Sequence, residues 1–188
     1  ACADYVLKKT PGATVANLSS TRALAEISQR YQQSYFASAV GEVNVVEIMK
    51  KSNAVIGGEG NGGVIYPDLH YGRDALVGIV LFLSLLVEKK CTVSQLKEQY
   101  PAFYMEKTKV NLPKDIKIDV LMNQMAQLYA KEQISKEDGV KIDFDDSWVH
   151  LRKSNTEPII RIYTEAKTQK EATSLADLFC ESLNKLIH

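Results

Sequence analysis

Ten residues, Arg152 to Arg161, hold the densest chemistry in the chain: Arg-Lys-Ser-Asn-Thr-Glu-Pro-Ile-Ile-Arg. Two hydroxyls (Ser154, Thr156), an amide (Asn155) and a guanidinium (Arg152) crowd a short turn between residues 147–151 and 159–164, with Arg161 near the head of the second run. Planar donor forks beside hydroxyls and backbone N–H groups suit a phosphate or carboxylate. The same residue types also build an ordinary polar hairpin turn. On chemistry alone both readings stand.

A second stretch, Gly57-Gly58-Glu59-Gly60-Asn61-Gly62-Gly63, places five glycines in seven residues. Glycines free the backbone from the usual φ limits and allow close approach to a ligand. The spacing makes a poor dinucleotide fingerprint, because Glu59 and Asn61 stand where a pyrophosphate needs clear N–H groups. A carboxylate with an amide better suits the hydroxyls of a sugar or polyol, the alternative being a flexible turn. His70 and Arg73 are candidates to line the same crevice, and Asp74 is well placed at the N-terminus of the following helix.

Hydrophobic periodicity supplies the elements that must position these residues. Residues 1–10 read as the last turns of a helix stopped by Pro11-Gly12, which suggests a piece cut from something longer. Strands are expected at 14–18, 34–40 and 54–56, alternating with helices at 22–31 and 43–51, and Ser19-Ser20-Thr21 as a cap region. That alternation predicts a mostly parallel α/β layer, with the glycine stretch at a strand end, where such sheets bind ligands. The apolar run 75–87 reads as a buried helix, too short to cross a membrane. A short helix follows from Thr92 to Tyr100. Beyond it come a strand at 103–112, a helix at 116–129, a hairpin of 140–144 with 148–151, a strand from Ile159, and a closing helix at 170–187.

Charge and composition narrow the partners. Lys plus Arg equals Asp plus Glu at 23 each, which argues against broad nucleic-acid wrapping but leaves room for one anion pocket. Cys2, Cys91 and Cys180 are odd in number and unpaired in spacing, as expected of a reducing, cytoplasmic setting, and read as buried small apolar residues. His70, His150 and His188 are too scattered for a metal motif, and Asp143, Asp145 and Asp146 read as a solvated turn rather than a metal loop. No metal, nucleic acid or membrane is expected for this chain, and oligomeric state stays open.

Taken together, the two dense stretches resemble the C-terminal half of an α-D-phosphohexomutase, the superfamily of phosphoglucomutases, phosphomannomutases and phosphoglucosamine mutases. The likeness is carried by 57–63 with Tyr66-Pro67-Asp68 and Gly72-Arg73-Asp74, and by Arg152 to Tyr163, and extends over essentially the whole chain. It implies a mixed, mostly parallel α/β third domain, incomplete at its N-terminus, over 1–98. A smaller α+β fourth domain with an antiparallel sheet packed by helices would cover 99–188. It further implies that Glu59 and Asn61 take sugar hydroxyls and that Arg152, Ser154, Asn155, Thr156 and Arg161 clamp a phosphate. Gly63, Asn155 and Ala39 depart from residues common in the family.

The resemblance implies an isomerase that moves a phosphoryl group between the 1- and 6-positions of a hexose phosphate through a phosphoserine and a bisphosphorylated sugar. The family's catalytic serine and magnesium loop belong to its first two domains, which are also this chain's expected partners. No residue here is therefore expected to be catalytic, Mg2+ is expected only in the longer enzyme, and glucose 1,6-bisphosphate is the expected activator. Two other classes fit the residues: a stand-alone sugar-phosphate-binding or regulatory module, and a purely structural interaction module. The choice among glucose, mannose and glucosamine phosphates is not legible.

Overall fold

The computed structural model describes all residues except Lys114, Asp115, Asn155 and His188. The chain divides into two compact units, Ala1–Ala102 and Phe103–His188.

In the first unit, α1 (Cys2–Lys9) leads to β1 (Thr14–Asn17), α2 (Ala23–Arg30), β2 (Tyr35–Ser38), α3 (Glu42–Ser52), β3 (Ile56–Gly58), β4 (Val64–Ile65), α4 (Ala75–Lys89) and α5 (Val93–Lys97). The sheet runs β2-β1-β3-β4, with β1 parallel to both β2 and β3 and β4 antiparallel to β3. All four residues of β1 are buried, as a strand covered on both faces requires. One face packs Val15 and Ile65 against Val45 and Met49 of α3, and a separate cluster joins Ile56 to Val6 of α1 and Leu81 of α4.

Local signals set the helix ends. Asp74 accepts from the N–H groups of Leu76 and Val77 at 2.8 and 3.0 Å and caps α4, an arrangement typically worth about 1 kcal/mol. Thr92 and Gln95 form a reciprocal capping box on α5. Of the expected cap region, the Thr21 hydroxyl accepts from the Ala23 N–H at 3.3 Å at the start of α2, while the Ser19 N–H and the Ser20 hydroxyl both donate to Asn17 Oδ1.

The second unit comprises β5 (Tyr104–Asn111), α6 (Ile118–Leu128), β6 (Gln133–Ser135), β7 (Val140–Asp143), β8 (Trp148–Lys153), β9 (Ile159–Ala166) and α7 (Gln169–Ile187). Its sheet is antiparallel throughout, in the order β5-β9-β8-β7-β6. Ala172, Ala176, Phe179 and Leu183 form the buried stripe of α7, and Val149, Leu151, Ile160 and Ile162 meet α6 and α7 in one core. Tyr129 stacks on Phe179 at 4.9 Å and meets Phe144 edge-on at 5.9 Å.

The expected classes, a mostly parallel mixed sheet and then a smaller antiparallel one, are both found. Three local differences matter. The strand expected at 54–56 lies at Ile56–Gly58, so the first glycines are sheet residues. The short strands β4 and β6 were not expected; two or three residues carry too little periodicity to be seen. Strand β8 continues through Lys153, so Arg152 is a strand residue rather than part of the turn.

Candidate functional site

The sugar-type residues sit at the carboxyl ends of β1 and β3. Because Ala16 pairs with Gly58, the next residues, Asn17 and Glu59, leave adjacent parallel strands side by side. Asn17 Nδ2 donates to Glu59 Oε1 at 3.1 Å, and Arg73 Nη1 lies 3.0 Å from Glu59 Oε2. The Glu59 side chain is only 5% exposed, so its carboxylate is held between an amide and a guanidinium. Each of its oxygens keeps further acceptor capacity, since a carboxylate oxygen has two lone pairs.

Arg73 is fixed from its other side by Glu42, which accepts from Nε at 2.8 Å and from the Arg73 backbone N–H at 2.9 Å. These bonds hold the Glu42 carboxyl below its ordinary range and the Arg73 guanidinium above its own. A side chain at Gly63 would put its Cβ 2.5 Å from Arg73 Cδ, so the absence of one lets Arg73 reach Glu59. Within the loop only Gly62, at φ +91°, needs the left-handed region. Asn61 Oδ1 accepts from the Gly63 N–H at 3.1 Å, and His70 Nε2 lies 3.0 Å from Asp74 Oδ2.

A cavity of about 350 Å³ opens beside this loop, lined among others by Ser20, Thr21, Glu59 and the backbone of Gly57, Gly58 and Gly60. Glu59 is therefore the acid that the strand ends present to it. Asn61, His70 and Arg73 do not line it, and Arg73 reaches the loop through Glu59.

In the second unit the phosphate-type residues flank the β8–β9 connection. The Ser154 N–H donates to the Ile159 carbonyl at 3.0 Å and closes the hairpin; the Ser154 and Thr156 hydroxyls lie 3.3 Å apart on its exposed tip. Asn155 lies outside the described residues. Arg152 of β8 stands directly opposite Arg161 of β9, and Arg161 directly opposite Lys109 of β5. Opposed residues share a face with Cβ atoms about 5 Å apart, and like charges so placed cost stability unless something offsets them.

The offset from within the chain is partial. Asp138 Oδ2 lies 2.8 Å from Arg152 Nε, and Glu157 Oε2 lies 3.5 Å from Arg161 Nη2 in a pair half open to water. The Arg152 Nε atom is buried, yet its N–H does not point along the line to Asp138, so the contact is an ion pair by distance and not a formed hydrogen bond. A buried guanidinium N–H without an acceptor among the described residues is the kind of group that an oxygen-rich anion satisfies.

Asn17, Glu42, Asp138 and His150 were not singled out as site residues from the sequence. Asn17 and Asp138 carried a usable signal: a polar residue ending a buried strand, and an Asp-Gly step just before a strand of the same sheet. Glu42 and His150 gave none, since their partners lie 31 and 12 residues away.

No group of three or more His, Cys, Asp or Glu side chains among the described residues is placed to hold a metal ion. No helix among them is long and apolar enough to cross a membrane.

Residues 1–104 match the model of the phosphoglucomutase/phosphomannomutase α/β/α domain III, and residues 108–182 that of the C-terminal domain of the same family. A phosphoglucomutase/phosphomannomutase of Thermococcus kodakarensis is 34% identical over 98% of this chain and 41% of its own length. A probable phosphoglucosamine mutase of Methanopyrus kandleri is 30% identical over 99% of this chain, again 41% of its own. Among solved structures, a phosphoglucomutase/phosphomannomutase family protein of Burkholderia thailandensis superposes with a TM-score of 0.78 at 21% identity, over 97% of this chain and 40% of that one. Aspergillus fumigatus N-acetylphosphoglucosamine mutase in complex with glucose 1,6-bisphosphate gives 0.71 at 13%, over 98% and 42%. These two share the fold; the chain spans about 41% of the length of the two sequence relatives. The chain belongs to the phosphoglucomutase/phosphomannomutase family of α-D-phosphohexomutases, and corresponds to the C-terminal part of such a protein.

Proposed function

We propose that this chain is the substrate-holding half of a phosphohexomutase, an isomerase that moves a phosphoryl group between the 1- and 6-positions of a hexose phosphate. Residues 1–98 serve as the sugar-recognition unit, with Glu59 accepting from sugar hydroxyls and Asn61 assisting. Residues 99–188 serve as the phosphate-binding unit, with Arg152, Ser154, Asn155, Thr156 and Arg161 as the clamp. The observation that carries this reading is the opposed pair Arg152–Arg161, with a buried Nε–H lacking an acceptor, next to the two hydroxyls of the turn.

Catalysis by this half is positional. Gripping one end of the substrate turns the encounter of its other end with a nucleophile into an effectively intramolecular step. Cationic and hydroxyl donors that fit a phosphate also suit the charge spread over a transferring phosphoryl group. The donor set here does not fit a magnesium site, so no step is assigned to one in this chain; in the longer enzyme Mg2+ belongs to residues outside this sequence.

In the longer polypeptide, Arg152→Ala is expected to lower kcat/KM on the order of 100-fold, as loss of a charge-assisted clamp does. Near-normal kcat/KM in that variant would count against the assignment. The 188-residue chain by itself is expected not to interconvert hexose 1- and 6-phosphates.

A further inference from the structure

The turn before β7 approaches the phosphate clamp from outside the Arg152–Arg161 segment. Asp138 places its carboxylate 2.8 Å from Arg152 Nε, with side-chain exposures of 24% and 22%, well below those of an ordinary surface pair. The Asp138 main chain is held independently. His150, 1% exposed on β8, donates from Nε2 to the Asp138 carbonyl at 2.6 Å. His150 and Arg152 alternate on one strand and so point to the same face, which lets one short turn bond to the first and pair with the second.

The neighbouring residue fixes how close that turn lies. Gly139 has φ +79°, and a Cβ there would sit 2.1 Å from the Leu151 carbonyl oxygen and 3.2 Å from Arg152 Cα. The turn is thus pressed against β8 beside Arg152 and has no room for a side chain at this point.

We propose that Asp138 is a positioning residue for the phosphate clamp: anchored by His150 and Gly139, its carboxylate holds the Arg152 guanidinium in place by ion pairing, preoriented for an incoming phosphate. This rests on the clamp reading of Arg152 given above. A carboxylate this close also repels a phosphate, and preorientation outweighs that repulsion. Preorienting a long, rotamer-rich side chain removes entropy that binding would otherwise lose. Asp138 therefore aids binding despite its charge.

The test is a calorimetric titration of glucose 6-phosphate into the 188-residue chain as wild type, Asp138→Asn, Arg152→Ala and the double variant. Asp138→Asn is expected to weaken binding roughly tenfold, and Arg152→Ala on the order of 100-fold. The double variant is expected to be no weaker than Arg152→Ala alone, because Asp138 acts only through Arg152. Unchanged or tighter binding in Asp138→Asn overturns the proposal, as does a further tenfold loss in the double variant. If Arg152→Ala binds like wild type, the clamp reading falls, and positioning is then decided by 15N-edited spectra of the ligand-free chain. There 15N relaxation at Arg152 Nε is expected to show a rigid side chain in wild type and a mobile one in Asp138→Asn; equal rigidity overturns the proposal.

Discussion

Burial decides what individual residues contribute. His150 is enclosed beside the clamp, and its loss of solvation, only partly offset by the bond to Asp138, pulls its pKa from 6.5 to about 4. The folded protein therefore binds fewer protons than the unfolded chain between those values, and stability rises with pH across that window. The contribution is complete above pH 6.5 and is lost as the pH falls toward 4. At about 1.4 kcal/mol per pH unit, this group is worth up to about 3 kcal/mol. Urea unfolding of the second unit is expected to show about 2 kcal/mol less stability at pH 5 than at pH 7, with most of that difference gone in His150→Gln. Equal pH dependence in wild type and variant would show that His150 is not the titrating group.

At the scale of elements, one carboxylate ties four segments of the first unit together. Asp4 of α1 accepts from Tyr31 beyond α2 at 2.6 Å and from Tyr100 beyond α5 at 2.7 Å, and pairs with Lys89 of α4 at 3.2 Å. Burial alone would raise its pKa, but these three partners outweigh it and bring it below the ordinary value. The Tyr31 hydroxyl, desolvated beside this anion, is pushed up to about 12. Hydrogen bonds to a charged group are each worth about 1.5–3 kcal/mol, so Asp4→Ala is expected to destabilise the first unit by at least about 2 kcal/mol in urea unfolding. A change under about 0.5 kcal/mol would mean that packing, not this node, joins the helices.

The elements were also where the sequence was most legible. Helix α7 stands out by its apolar spacing and the hairpin of β7 with β8 by clean alternation. Helix α4, visible as an apolar run, was expected to be buried and in fact buries only Leu81 and Leu85, leaving one side open. The edge strands β4 and β6 were too short to register. The chemistry-bearing side chains of Glu59, Arg152 and Arg161 could be named from residue type and order. What holds them could not: Asn17 and Glu59 are 42 residues apart, and Arg73 and Glu42 are 31. Such pairs exist only once strand register and helix placement are fixed. The end of β8 was misplaced because Arg152 and Lys153 look like turn residues, yet both continue the ladder with Arg161 and Ile160.

For the whole molecule, composition is balanced but one surface is not. Leu76, Ile79, Val80, Leu83 and Val87 of α4 are all more than half exposed, at spacings that share one side of a helix. None of them belongs to the unit's buried clusters, so Val80→Gln with Leu83→Gln is expected to change unfolding free energy by less than about 0.5 kcal/mol per site. A loss above about 2 kcal/mol would show that the stripe is part of a core. The proposed function, by contrast, rests on one segment in each unit whose residues are costly to their own fold: an opposed arginine pair on β8 and β9 and an almost fully buried carboxylate after β3.

The central claim, that these residues hold a sugar phosphate, is tested most directly by titrating the 188-residue chain with glucose 6-phosphate and with glucose, for wild type and Arg152→Ala. The account predicts measurable binding of the phosphorylated sugar by wild type, on the order of 100-fold weaker binding by Arg152→Ala, and no measurable binding of glucose by either. Equal affinity of wild type and variant for glucose 6-phosphate would contradict it.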